Sequence, residues 1–163
     1  MIKDCSCGNG YGSFMKLDKE IKIKDNTLMN IRNNYIVFTL GVDELEPNED
    51  EDEIDEEIEK VLSVNVFWGE LINYSYVFNG SQIKKIYIEN NESCNIVLND
   101  NLVDDIHCNI VYNKERGWIW YGGYNNKKSE IGTWVSLSDE TKIFEGMIIQ
   151  SNQNIYDCHI IEQ

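Results

Sequence analysis

An all-β sandwich is the fold class this sequence predicts, and three observations carry the prediction. Alanine, the strongest helix former, is absent from the 163 residues, while isoleucine, valine, tyrosine and tryptophan are well represented. Apolar residues alternate with polar ones in short runs such as Val61-Leu62-Ser63-Val64-Asn65-Val66, which puts every second side chain on one face of an extended strand. Polar loops and turn residues such as Asn79-Gly80 separate these runs, the rhythm of connected short strands.

Taken in order, Ser13-Phe14-Met15-Lys16-Leu17, Ile21-Lys22-Ile23 and Tyr35-Ile36-Val37-Phe38-Thr39-Leu40 predict the first strands. Gly8, Gly10 and Gly12 precede them, but no Lys-Ser or Lys-Thr follows to make a phosphate-binding loop. Asp and Glu then dominate residues 43–59, which predicts a solvated connector held open by self-repulsion. Ile54, Ile58, Val61 and Leu62 recur at helical spacing, so any helix is expected within about residues 50–62. The acids lack the alternating ligands, central glycine and closing glutamate of a calcium loop. Further strands are predicted over 61–68, 74–78 and 83–88, with Asn79-Gly80 as a hairpin turn between the last two. Residues 95–98, 107–112, 118–121, 133–137, 147–150 and 155–161 continue the series.

An internal correspondence runs through the chain. Shifted by 120 positions and without a gap, Gly12 falls on Gly132, Ser13 on Thr133, Phe14 on Trp134 and Leu17 on Leu137. Lys22-Ile23 falls on Lys142-Ile143, Asp25 on Glu145 and Asn34 on Asn154. Self-similarity at a fixed spacing marks repeated structural units. Residues 1–42 therefore read as a β half-repeat, 43–60 as the acidic connector and 61–163 as a complete sandwich. Half a sandwich leaves strand edges and an apolar face uncovered, so the half-repeat is expected to pack on the complete unit or be finished by another chain.

A net charge of -15 disfavours nucleic-acid phosphates and anionic membrane surfaces as partners, and favours a basic segment of a partner protein. No apolar run approaches membrane-spanning length, and an intracellular location, cytoplasmic or nuclear, is the expectation. Five cysteines, an odd number, predict reduced thiols rather than a disulfide framework. Cys5 with Cys7, and His107-Cys108 with Cys158-His159, are conceivable zinc ligands, but adjacent residues on a strand point to opposite faces. No metal or other cofactor is expected, and Cys94, Cys108 and Cys158 read as small apolar core residues.

The stretch His107-Cys108-Asn109-Ile110, then Gly117-Trp118, then Ser129-Glu130-Ile131-Gly132-Thr133-Trp134, then Glu145-Gly146-Met147 resembles a forkhead-associated domain, particularly the divergent forms of single-celled eukaryotes. The resemblance covers roughly residues 61–161, with a weaker half-copy at 9–41. It implies a β-sandwich that in most relatives reads phosphothreonine in partner proteins. On the family's pattern, His107, Gly132, Thr133 and Trp134 are frame residues, His107 bracing the recognition loops. The phosphate- and peptide-binding positions are substituted: Glu89 and Asn90 stand for the glycine and arginine, and Asp104 and Asp105 for the serine and its neighbour. Glu130 and Ile131 stand for the threonine–asparagine pair.

Those substitutions act in one direction. Phosphothreonine brings a charge of about -2 that is normally met by a guanidinium fork, and Asn90 offers no charge. A carboxylate about 5 Å from such a dianion costs on the order of several kcal/mol at an effective dielectric near 20. The expected function is therefore a non-catalytic interaction or structural module that has lost phosphothreonine recognition. The alternatives are a phosphopeptide reader with a rearranged site and, less well supported by any residue constellation, a metal protein or enzyme using His107 and Cys108.

Overall fold

The computed structural model describes residues 1–3, 12–41, 60–68, 71–90, 94–98, 100, 102–103, 107–123, 129, 131–138 and 140–161, with only the backbone for 71–73. Strands β1 (Ser13–Lys16), β2 (Ile21–Lys22), β3 (Thr27–Ile31) and β4 (Asn34–Gly41) come first. After the connector follow β5 (Val61–Trp68), β6 (Leu71–Asn79), β7 (Lys85–Glu89), β8 (Ile96–Val97), β9 (Cys108–Asn113) and β10 (Gly117–Gly122). The chain ends with β11 (Trp134–Ser136), β12 (Met147–Ser151) and β13 (Asn154–Cys158). The described residues contain no helix, so the chain is all-β as the alternating runs predict. It follows that they also contain no helix long and apolar enough to cross a membrane.

Two sheets form. One has eight strands in the order β13-β12-β1-β11-β3-β4-β5-β6, the other five in the order β2-β10-β9-β7-β8. Period-two alternation decides which side chains enter the space between them. Along β4 and β5, Ile36 pairs with Val66 and Phe38 with Val64, and all four are buried. Opposite them in the same apolar cluster lie Ile86 and Ile88 of β7, Cys108 and Ile110 of β9, and Trp118 and Trp120 of β10. Burial of each large side chain in that layer contributes about 1.5–3 kcal/mol.

Strands from residues 1–42 and 61–163 share both sheets. β4 runs antiparallel to β5 over the whole of each strand, β3 pairs with β11, and β2 pairs with β10. Completion of the half-repeat's exposed edges thus occurs within this chain.

Two local expectations are corrected. Asn79-Gly80 does not close a hairpin, because β6 and β7 belong to different sheets. Its turn, held by the Gln82 and Ile83 N–H groups donating to the Asn79 carbonyl, carries the chain across the sandwich. Gly80 lies against the Tyr112 ring, so close that a Cβ there would come within 2.4 Å of it. Val61 and Leu62 open β5 instead of closing a helix, and Leu62 is a core residue. Their helical spacing with Ile54 and Ile58 is outweighed by eight residues of ladder pairing with β4. The rest of the expected helix, with the acidic stretch 43–59, lies outside the described residues.

The internal correspondence extends to the backbone. Asn26 and Gly146 both have positive φ, as do Arg32 and Asn152. Hairpin β3–β4 pairs Met29 with Ile36 and Thr27 with Phe38, and β12–β13 pairs Ile149 with Tyr156 and Met147 with Cys158, the same register. The Leu40 N–H donates to the Asp25 carboxylate, and the Ile160 N–H to that of Glu145. The Asn30 amide donates to the Arg32 carbonyl, and the Gln150 amide to that of Asn152. At the junction of the two hairpins Met15 faces Val135, its own counterpart, in the antiparallel β1–β11 pair. Leu17 donates to Thr133 at 2.8 Å and Leu137 to Ser13 at 2.9 Å. A local pseudo-twofold axis therefore passes between β1 and β11. It relates β1–β12 to β11–β3, with Phe14 opposite Gln150 as Trp134 is opposite Asn30.

The Glu145 turn carries a small electrostatic device. The Glu145 carboxylate accepts the Ile160 N–H and, at 2.9 Å, approaches His159 Nδ1, while His159 Nε2 lies 3.5 Å from Asp157. The Ile160 N–H first, and His159 after it, hold Glu145 below its ordinary range. The hydrogen bond to Glu145 first, then the charge of Asp157, raises His159 above 6.5. A raised histidine stabilises the fold fully below its unfolded pKa, and that contribution fades as pH rises through the higher folded value. NMR titration is expected to place His159 above 6.5, and Glu145→Gln to move it back down.

Candidate functional site

Antiparallel pairing brings the end of β7, the start of β9, the end of β10 and the start of β11 to one end of the sandwich. Ile88 pairs with Cys108, and Gly122 with Cys108 from the other side. His107 sits at this junction with no exposed surface. Its backbone N–H donates to Ile88 at 3.1 Å and its carbonyl accepts from Gly123 at 2.9 Å. Its ring bridges two hydroxyls, Nε2 to Thr133 Oγ at 3.0 Å and Nδ1 to Ser129 Oγ at 2.9 Å. Ser129 Oγ also accepts the Gly132 N–H at 3.3 Å. The His107 backbone thus ties β9 to β7 and to the end of β10, while its buried imidazole holds the loop entering β11, which is a positioning arrangement.

Gly132 is favoured there because its φ is +72°, a left-handed conformation that costs an L side chain about 1–2 kcal/mol. The Lys16 side chain lies against it, its Cε 2.7 Å from where a Cβ would stand. Thr133 is buried and Trp134 half-buried in β11.

The substituted positions divide into those the structure describes and those it does not. Asn90 is half-buried, two residues beyond Ile88 at the His107 end. Glu89 before it is buried in β7, and its carbonyl accepts the Leu98 N–H at 2.8 Å. Ile131, which the resemblance would set at a peptide-binding asparagine, packs against the main core. Asp104, Asp105 and Glu130 lie outside the described residues.

Two cations reach this end that sequence reasoning did not place there. Lys16 on β1 pairs with Trp134 and lies against Gly132. Arg32, in the turn after β3, meets Asp100, whose N–H donates to Leu98, the residue that in turn donates to the Glu89 carbonyl at the end of β7. Its guanidinium Nε is 3.1 Å from Asp100. Both belong to the amino-terminal half-repeat, for which sequence reasoning names no partner strand. The chain's other arginine, Arg116, is in the turn at the far end of β9–β10, paired with Glu20 at 2.7 Å.

Cys108 is fully buried, and burial pushes its thiol up to about 12 with the Trp120 indole offsetting only part of the shift. Such a thiol is protonated at neutral pH, the wrong state for a nucleophile or metal ligand. Among the described residues no three His, Cys, Asp or Glu side chains gather to hold a metal, and His107-Cys108 is not brought together with Cys158-His159. Cys5 and Cys7 lie outside the described residues. Cys94 and Cys158 are half-buried, less enclosed than expected of core residues.

No protein-family model, no curated protein and no solved structure matches the chain.

Proposed function

We propose that the chain is a non-catalytic protein-interaction or structural module, an intracellular forkhead-associated-like sandwich that no longer recognises phosphothreonine. The observation that carries this reading is Ile131: the side chain at the peptide-binding amide position is spent on core packing. Asn90 supports it, since a neutral amide replaces the charged fork. His107 supports the non-catalytic part, because both ring nitrogens face hydroxyls that hold loops in place. The partner this reading favours is a basic protein segment, by charge complementarity with a chain of net charge -15.

Lys16 and Arg32 favour one rival, a phosphopeptide reader with a rearranged site. Arg32 is held by Asp100, however, and would have to exchange that carboxylate for a phosphate. A degenerate phosphothreonine peptide library is the test. No phosphate-dependent binding is expected. Micromolar binding that disappears on dephosphorylation and in Arg32→Ala would overturn the proposal in favour of the rival.

A further inference from the structure

We propose that the outer edge and apolar face of hairpin β12–β13 form a docking site for a β-sheet unit of the kind built by residues 61–122, supplied by another polypeptide. The argument rests on the pseudo-twofold relation between the half-repeats and is independent of any phosphopeptide role.

Under that relation β12 corresponds to β3 and β13 to β4. The two hairpins differ in what lies beyond them. β4 is followed in the sheet by β5 and β6, whereas β13 is the terminal strand among the described residues. The inward residues of β4 are sealed: Ile36 and Phe38 have no exposed surface. Their counterparts are Tyr156, 52% exposed, and Cys158, half-buried; Ile160, the counterpart of Leu40, is 55% exposed.

Beneath them lies a second, small core of Leu137, Met147 and Ile149, with Ile2, Met15 and Cys158 packed at its margin. Leu137 and Ile149 correspond to Leu17 and Met29 of the main core. Among the described residues, the face thus carries the start of a core without the opposing layer that covers it on the other side of the axis. An uncovered apolar face beside an unpaired strand edge is a surface for strand addition.

The covering unit can be specified. On β4, Ile36, Phe38 and Leu40 meet Val66, Val64 and Leu62 of β5. The same register on β13 sets Tyr156, Cys158 and Ile160 against a strand with that alternation, running antiparallel. Identical copies of the folded chain do not supply it, because each holds two half-repeats of the β3–β4 kind and one β5–β10 unit, already occupied by β4. A polypeptide with an unoccupied unit of the β5–β10 type satisfies the face.

The test uses the full chain and a fluorescein-labelled peptide with the sequence of residues 60–80. Fluorescence anisotropy should show saturable binding, and hydrogen exchange should show new amide protection confined to 154–160. Tyr156→Lys/Ile160→Lys in the chain, both exposed positions, should weaken binding at least tenfold while leaving its circular dichroism and melting temperature unchanged. A peptide carrying Val64→Lys and Val66→Lys should not bind. The proposal is overturned by absence of saturable binding, by binding indifferent to the double substitution, or by protection at 71–79, which would mean addition at β6. A chain that is already dimeric in sedimentation, with 154–160 protected without peptide, would make a second copy the occupant and overturn it too.

Discussion

Phe38→Ala is expected to lower the unfolding free energy by about 3–5 kcal/mol, read from urea denaturation. Phe38 is fully buried, pairs with Val64 across the β4–β5 ladder and lies in the cluster that joins the two sheets. Truncation removes the transfer free energy of the ring and leaves a cavity whose walls belong to both sheets and cannot close freely. Tyr35 on the same strand is 40% exposed, so Tyr35→Ala should cost far less, about 1 kcal/mol or below. A Phe38 effect as small as that of Tyr35 would mean that β4 does not sit in the core.

Cutting the chain within residues 43–59 is expected to leave the two pieces associated on gel filtration, and residues 61–163 alone are expected to melt more than about 10 °C below the whole chain. The amino-terminal piece contributes β1 and β3, which flank β11 on both sides, β4, which covers β5, and β2, which edges β10. It also contributes Ile23, Met29, Ile31, Ile36 and Phe38 to the core, each worth about 1.5–3 kcal/mol when buried. Hairpin β12–β13 is the only spare segment with the same turn geometry among the described residues, but it offers Tyr156 and Cys158 where β4 has Ile36 and Phe38. It would fill the vacated position less well. Separation of the cut pieces, with an unchanged melting temperature for the larger, would place the stability of the sandwich in residues 61–163 alone.

What the sequence determined by itself is local. The apolar run over residues 35–40 and the alternation along 61–66 made them strands, and the alternation chose the inward face of the second, because side chains on a pleated strand switch sides at every residue. The offset of Gly12 on Gly132 and Asp25 on Glu145 marked two similar hairpins, and both fold with matching turns and register. His107 and Thr133 were singled out only by resemblance, and the structure brings their side chains together at 3.0 Å. What only the tertiary structure decided is which strand lies beside which. The half-repeats carry nearly the same backbone pattern, so the turns alone do not say which lies beside β5; β4 is the one that offers wholly apolar Ile36 and Phe38 where β13 has Tyr156 and Cys158. Asn79-Gly80 signals a tight turn whether the chain returns along its own sheet or crosses to the other, and the pairing of β7 with β9 settled that. Lys16 and Arg32 reached the His107 end for the same reason: strand pairing brought residues far apart in the chain into one site, and pairing depends on global competition for partners rather than on neighbours in sequence.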